Sequence, residues 1–161
     1  MADGKAVKRG LRFVLPLVAI VLACAWISAN RVQLMLIRGD SMMPSYHNMQ
    51  LVALDKHSRE FQTGDVIAFR CEGLSTILVK RIAACGGDTA QIVDGTLLVN
   101  GEASALYEEG VFDRAGRLAK EIRPAQGEYL VIGDHVAGSR DSRDEAVGNV
   151  REEDIIGKII C

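Results

Sequence analysis

Hydrophobic residues along this chain fall into one long unbroken run followed by many short ones. The long run, FVLPLVAIVLACAWISA at residues 13–29, carries no charge. Its length approaches the roughly 20 residues a helix needs to cross a hydrocarbon layer about 30 Å thick, which predicts a transmembrane helix over 13–29. Pro16 falls in its first turns, where a missing N–H is tolerated, and Trp26 lies near its far end, where an interfacial aromatic is expected. Beyond it the apolar runs shrink to strand length, at residues 32–37, 51–54, 66–70, 77–83, 90–93, 96–99, 129–132 and 155–160. Turn residues separate them: Thr63, Gly64 and Asp65, then the loop 71–75, then Gly86, Gly87 and Asp88. Asp94 and Gly95 between two strand-length runs predict a two-residue hairpin. Only residues 102–126 lack a period; they are charged, contain Gly110, Gly116 and Pro124, and predict a surface excursion. Many short strands and few helices give a mainly β domain over 30–161.

Composition changes this picture little. The 161 residues, 25% charged and 48% hydrophobic, suit one folded domain plus a membrane segment. Charge placement says more: Lys5, Lys8, Arg9 and Arg12 stand against Asp3 before the apolar run, and only Arg31 and Arg38 follow it closely. The positive-inside tendency puts a basic tail, 1–12, in the cytoplasm and the domain 30–161 outside the cell membrane. A formal net charge of −2 gives no reason to expect a nucleic-acid partner. A cleaved signal peptide would share the basic start and apolar middle, with Ala23 and Ala25 as small residues near a cleavage point. VLAC, at 21–24, loosely resembles a lipoprotein processing site, although the apolar run continues through Trp26 and Ile27. In all three readings the polar domain leaves the cytoplasm. Cys24, Cys71, Cys85 and Cys161 form no C-x-x-C pair and no H-E-x-x-H helix is present, so neither a metal nor another cofactor is expected. One disulfide among the outer three, or Cys71 and Cys85 as small buried hydrophobes, are both compatible with the spacing.

The candidate chemistry starts at RGDSMMPSY, residues 38–46. A serine hydroxyl is a poor nucleophile until a base takes its proton, and the available bases are His47, His57, His135 or a buried lysine. No G-x-S-x-G elbow surrounds Ser41, and no S-x-x-K follows it, because Met42, Met43 and Pro44 come next. Residue counts leave a Ser-His-Asp triad open. Lys80 lies in ILVKRIAA, where alternation sets Leu78, Lys80 and Ile82 on one face and Ile77, Val79 and Arg81 on the other. If the first face is buried, the amine loses water and its pKa falls. Neutrality near pH 7 requires a drop of roughly 3 units from about 10.4, or about 4 kcal/mol. A solvated lysine on an edge strand is the competing reading.

Three blocks resemble the boxes of the type I signal peptidase family, membrane-bound serine proteases with a Ser-Lys dyad: GDSMMPS at 39–45, GDVIAFR with VKRIAACGGD within 64–88, and GDHVAGSRDSR at 133–143. Their order, the DGTLLVNG hairpin between them and the single preceding apolar segment match as well. The resemblance implies a single β-rich catalytic domain of signal peptidase type with one N-terminal transmembrane helix. It implies Ser41 as nucleophile, Lys80 as general base, Ser139 as a hydrogen-bonding partner of the lysine amine, and two pairs, Arg81 with Asp134 and Asp141 with Arg143, fixing the closing loop. It implies signal peptides of exported preproteins as substrates, met at the lipid bilayer, docking extended near Met35 to Gly39 and Leu78 to Val79, with Met42 beside the apolar pockets. Lys80 argues against the relatives of eukaryotic and archaeal type, which use histidine there. His135 departs from a common Asn, Cys85 from an apolar residue and Gly86 from a proline. Gly39 stands where some members carry a hydroxyl, which leaves the oxyanion donor beyond the Ser41 N–H unassigned. A specialised peptidase for a pilin-like or conjugation substrate, and a silent membrane-anchored β-domain that binds extended peptides, are the alternatives.

Overall fold

Alternation and turn chemistry give ten strands, seen here in a computed structural model that describes residues 16–25 and 31–160. The strands are β1 (Val32–Leu36), β2 (Leu51–Asp55), β3 (Val66–Cys71), β4 (Thr76–Ala84), β5 (Ala90–Val93), β6 (Thr96–Val99), β7 (Glu102–Ala103), β8 (Glu128–Ile132), β9 (Val150–Arg151) and β10 (Ile155–Ile159). The domain is mainly β, as the short runs predict. The chain divides into two units, residues 1–33 and 34–161. In the first, residues 16–25 are helical with exposed apolar side chains, among them Leu17, Ile20 and Leu22. No helix among the described residues is long and apolar enough to cross a membrane. The basic tail 1–12, positions 13–15 and 26–29 of the predicted span, and Cys161 lie outside the described residues.

Seven strands form one sheet in the order β1-β2-β10-β3-β4-β8-β9, and β5, β6 and β7 form a second. The central hairpin is β3–β4, antiparallel, with Ile67 opposite Lys80 and Phe69 opposite Leu78. Its turn passes through Ser75 at φ 50°, after a short 3-10 turn at Glu72–Leu74. β8 pairs with the other edge of β4, placing Ile132 opposite Arg81. The predicted Asp94–Gly95 hairpin is present, with both residues at positive φ, 47° and 76°, as a type I′ turn requires. Apolar side chains from both hairpin arms fill the core: Ile67, Phe69 and Ile82 pack with Val131 in one cluster, and Val66 and Ala68 with Met42, Val52 and Leu54 in another.

Residues 102–126 depart from expectation. They are not only a surface excursion, because Phe112 and Leu118 are buried with Leu97, Leu130 and Ile132, and Ile122 bridges to Ala90. The segment inserts single anchors between turns, so its burial has no period to detect. β1 stops one residue short of its predicted end, since Ile37 is buried while exchanging backbone bonds with Gln50 and Met49 outside the strand. Cys71 is buried, and Cys71 and Cys85 are free thiols.

Candidate active site

The nucleophile box is a tight turn pinned by its methionine. Met42 is 1% exposed and packs with Ile37, Val52, Leu54 and Ile159, while its carbonyl accepts the Tyr46 N–H at 2.9 Å. Burying a methionine side chain is worth about 1.5–3 kcal/mol, enough to hold the neighbouring Ser41 in one place. The backbone of the closing box grips the same turn. His135 N–H donates to the Ser41 carbonyl at 3.1 Å. Gly133 has no room for a side chain, because a Cβ there would stand 2.5 Å from that carbonyl oxygen and closer still to Ser139 Oγ. Gly39, at φ 91°, gives its N–H to Asn48 Oδ1 at 3.0 Å. That amide is therefore occupied and does not supply an oxyanion donor.

Lys80 reaches Ser41 from the middle of β4. Its Nζ lies 2.7 Å from Ser41 Oγ and donates to the Val79 carbonyl at 2.9 Å, and the residue is 2% exposed. The buried reading of the alternating face holds, and the edge-strand reading does not. Burial pulls the amine down from 10.5 to about 8, against the smaller opposing pull of the Asp141 and Asp134 carboxylates. About a tenth of the molecules then carry a neutral Lys80 at pH 7. In that form the Val79 carbonyl takes one N–H, leaving the lone pair free to accept the Ser41 proton.

Both expected ion pairs form. Arg81 donates to Asp134 through Nε at 2.8 Å and Nη2 at 2.6 Å, and also reaches the Gly64 carbonyl and Ser45 Oγ, tying β4 to the nucleophile turn. Arg143 and Asp141, both almost fully buried, form a two-pronged pair at 2.8 and 2.9 Å. Arg143 also donates to the Val136 carbonyl at 2.6 Å. Removing one partner of such a pair strands the other in the interior, so Arg143→Met is expected to destabilise the chain by about 3–5 kcal/mol in urea unfolding. A loss below about 1 kcal/mol would show that Asp141 finds other support.

One expectation needs correction. Ser139 does not hydrogen-bond Lys80: the amine is satisfied by Ser41 and Val79, and Ser139 Oγ, buried against Gly133, has no hydrogen-bond partner among the described residues. Sequence reasoning also missed the Val131 N–H bond to Ser142 Oγ at 2.9 Å and the backbone grip of His135. Neither leaves a side-chain signal beyond the box itself.

A groove of about 470 Å³ opens beside Ser41 and Lys80, lined by Met35, Leu36, Ile37 and Arg38 on one side and by residues 76–79 on the other, with Met42 between. The expected docking residues Met35, Met42, Leu78 and Val79 therefore share one cleft, whereas Gly39 is exposed and held by Asn48. The end of β1 and the start of β4 are far apart in strand order, yet both line this groove. No group of three or more candidate metal ligands occurs among the described residues.

Known proteins resemble this chain in sequence. A family model described as signal peptidase, peptidase S26, matches residues 10–161. Signal peptidase I T of Bacillus subtilis (strain 168) is 29% identical over 133 residues, 76% of this chain and 68% of its own length. Signal peptidase I of Bacillus licheniformis is 31% identical over 139 residues, 80% of this chain and 74% of its own. A crystal structure of a signal peptidase I from Enterococcus faecalis V583 aligns at a TM-score of 0.49 and 23% identity, covering 64% of this chain and 98% of that one.

Proposed function

The chain belongs to the signal peptidase family, peptidase S26, and from that premise we propose that it is a membrane-anchored serine endopeptidase cleaving signal peptides from exported preproteins through a Ser41–Lys80 dyad. The observation that carries the reading is the 2.7 Å approach of Lys80 Nζ to Ser41 Oγ where the amine is almost fully buried. Neutral Lys80 takes the Ser41 proton as Oγ attacks the scissile carbonyl, and the protonated amine then gives that proton to the departing nitrogen as the peptide bond breaks. A water, deprotonated by the same amine, hydrolyses the resulting ester and restores Ser41. The Ser41 N–H is one donor for the oxyanion. The two arginine–carboxylate pairs keep Asp134 and Asp141 engaged with guanidinium groups, so Lys80 faces burial more than countercharge.

The substrate enters as an extended strand along the groove, backbone pairing supplying affinity and the apolar lining from Met35 to Leu78 favouring small side chains. The apolar residues 13–29 anchor the chain with residues 1–12 in the cytoplasm and 30–161 outside, supported by the uncharged run and the basic residues before it. Protease added outside intact spheroplasts should then digest the domain, and complete protection would reverse the orientation. The function itself is tested by incubating detergent-solubilised full chain with a preprotein carrying an Ala-x-Ala site. Mass spectrometry should find one new N-terminus directly after the second Ala; an intact preprotein under these conditions sinks the reading.

A further inference from the structure

The aperiodic segment between β7 and β8 carries one tyrosine aimed at the catalytic box. Tyr107 donates its hydroxyl to the Ile132 carbonyl at 3.3 Å. The N–H of the same peptide group, on Gly133, is held by Asp141 Oδ2 at 3.2 Å. The Ile132–Gly133 peptide is thus gripped at both poles, one residue before Asp134 and against the carbonyl of the nucleophile. Tyr107 is itself braced: its ring meets Phe112 edge to face at 5.3 Å, and Phe112 lies under the Arg143 guanidinium at 5.4 Å. Arg143 in turn holds Asp141. The two grips share one support.

We propose that Tyr107 is a positioning residue of the dyad: its hydroxyl fixes the Ile132–Gly133 peptide, and through Gly133 the backbone of Ser41, at the distance Lys80 requires. The proposal rests on the Ser41–Lys80 reading for its effect on catalysis. It does not rest on it for its effect on the backbone. A phenylalanine at this position keeps the ring contact with Phe112 and removes only the hydrogen bond, so Tyr107→Phe separates the grip from the packing.

In the full chain in detergent, Tyr107→Phe is expected to lower kcat on the Ala-x-Ala preprotein about tenfold, a factor that matches roughly one hydrogen bond. KM should stay within about twofold, because the groove residues are untouched. Leu118→Ala serves as the structural control, being buried in the same cluster without a bond to the Ile132–Gly133 peptide. It should lower Tm more than Tyr107→Phe does yet keep the wild-type kcat well below its Tm. A wild-type kcat in Tyr107→Phe, or a fall no larger than in Leu118→Ala, overturns the proposal. Hydrogen exchange at Gly133 reads the grip without any cleavage: the amide should exchange about tenfold faster in Tyr107→Phe while that of Val131 is unchanged. If the wild type cleaves nothing, the functional reading fails alone and this exchange decides the grip, an unchanged Gly133 rate overturning it.

Discussion

Lys80→Met is expected to abolish cleavage and, in the same molecule, to raise Tm. Both effects follow from one fact, that the amine is nearly dry and burial holds its pKa near 8. At about 1.4 kcal/mol per pKa unit, keeping Lys80 charged in the folded chain costs about 3 kcal/mol relative to an exposed lysine. Methionine fills similar volume with no charge to dehydrate. It also gives up the bonds to Ser41 Oγ and the Val79 carbonyl, each worth about 1 kcal/mol, so the net gain should be about 1 kcal/mol, or several degrees in Tm. Because the folded pKa lies below the unfolded one, the destabilisation is complete below pH 8 and fades as pH rises towards 10.5. The advantage of the variant should accordingly shrink between pH 7 and pH 10. If Lys80 is the proposed base, its loss should cut kcat/KM by at least about 10³-fold. A variant that is less stable than wild type at pH 7, or that keeps a tenth of its activity, contradicts the assignment.

Ser41→Ala has the larger catalytic effect and a structural effect of similar size but opposite sign. On the proposed Ser41–Lys80 mechanism it removes the attacking oxygen, so kcat/KM should fall by about 10⁴-fold or more. Little else changes, because Met42 anchors the turn and the Ser41 carbonyl still accepts from His135. The loss of one bond to the lysine amine should cost about 1 kcal/mol of stability. Binding of an uncleaved signal peptide should be retained within a few-fold, since the groove from Met35 to Val79 is intact. Fluorescence anisotropy with a labelled peptide checks this. Cleavage persisting in Ser41→Ala would place the nucleophile elsewhere; binding lost with cleavage would mean that the hydroxyl holds substrate rather than attacks it.

Much of this site is legible in the sequence because the chemistry sits on regular elements. Lys80 lies in an alternating apolar strand, a pattern that leaves a buried and an edge-strand lysine both open until the box resemblance favours the first, whereas the Asp94–Gly95 turn declares its hairpin through two residues that tolerate positive φ. The pairs Arg81 with Asp134 and Asp141 with Arg143 follow from box resemblance, and the geometry bears out both. What escapes is carried by backbone groups and by isolated anchors. His135 acts through its N–H, Gly133 through the absence of a Cβ, and Tyr107 from a segment whose buried residues follow no period. The Ser139 hydroxyl shows the limit of residue-by-residue transfer: position alone does not say which of several nearby acceptors the lysine amine will choose, and here Val79 O takes that place.

The central claim is that a buried lysine, whose neutral fraction rises as pH approaches and passes its lowered pKa, activates Ser41. It is tested most directly by kcat/KM of the full chain on an Ala-x-Ala preprotein across pH 5 to 10. The rate should climb about tenfold per pH unit at the acidic end and level off with an apparent pKa near 8. A rate that stays flat from pH 9 down to pH 5 would contradict a titrating Lys80 base.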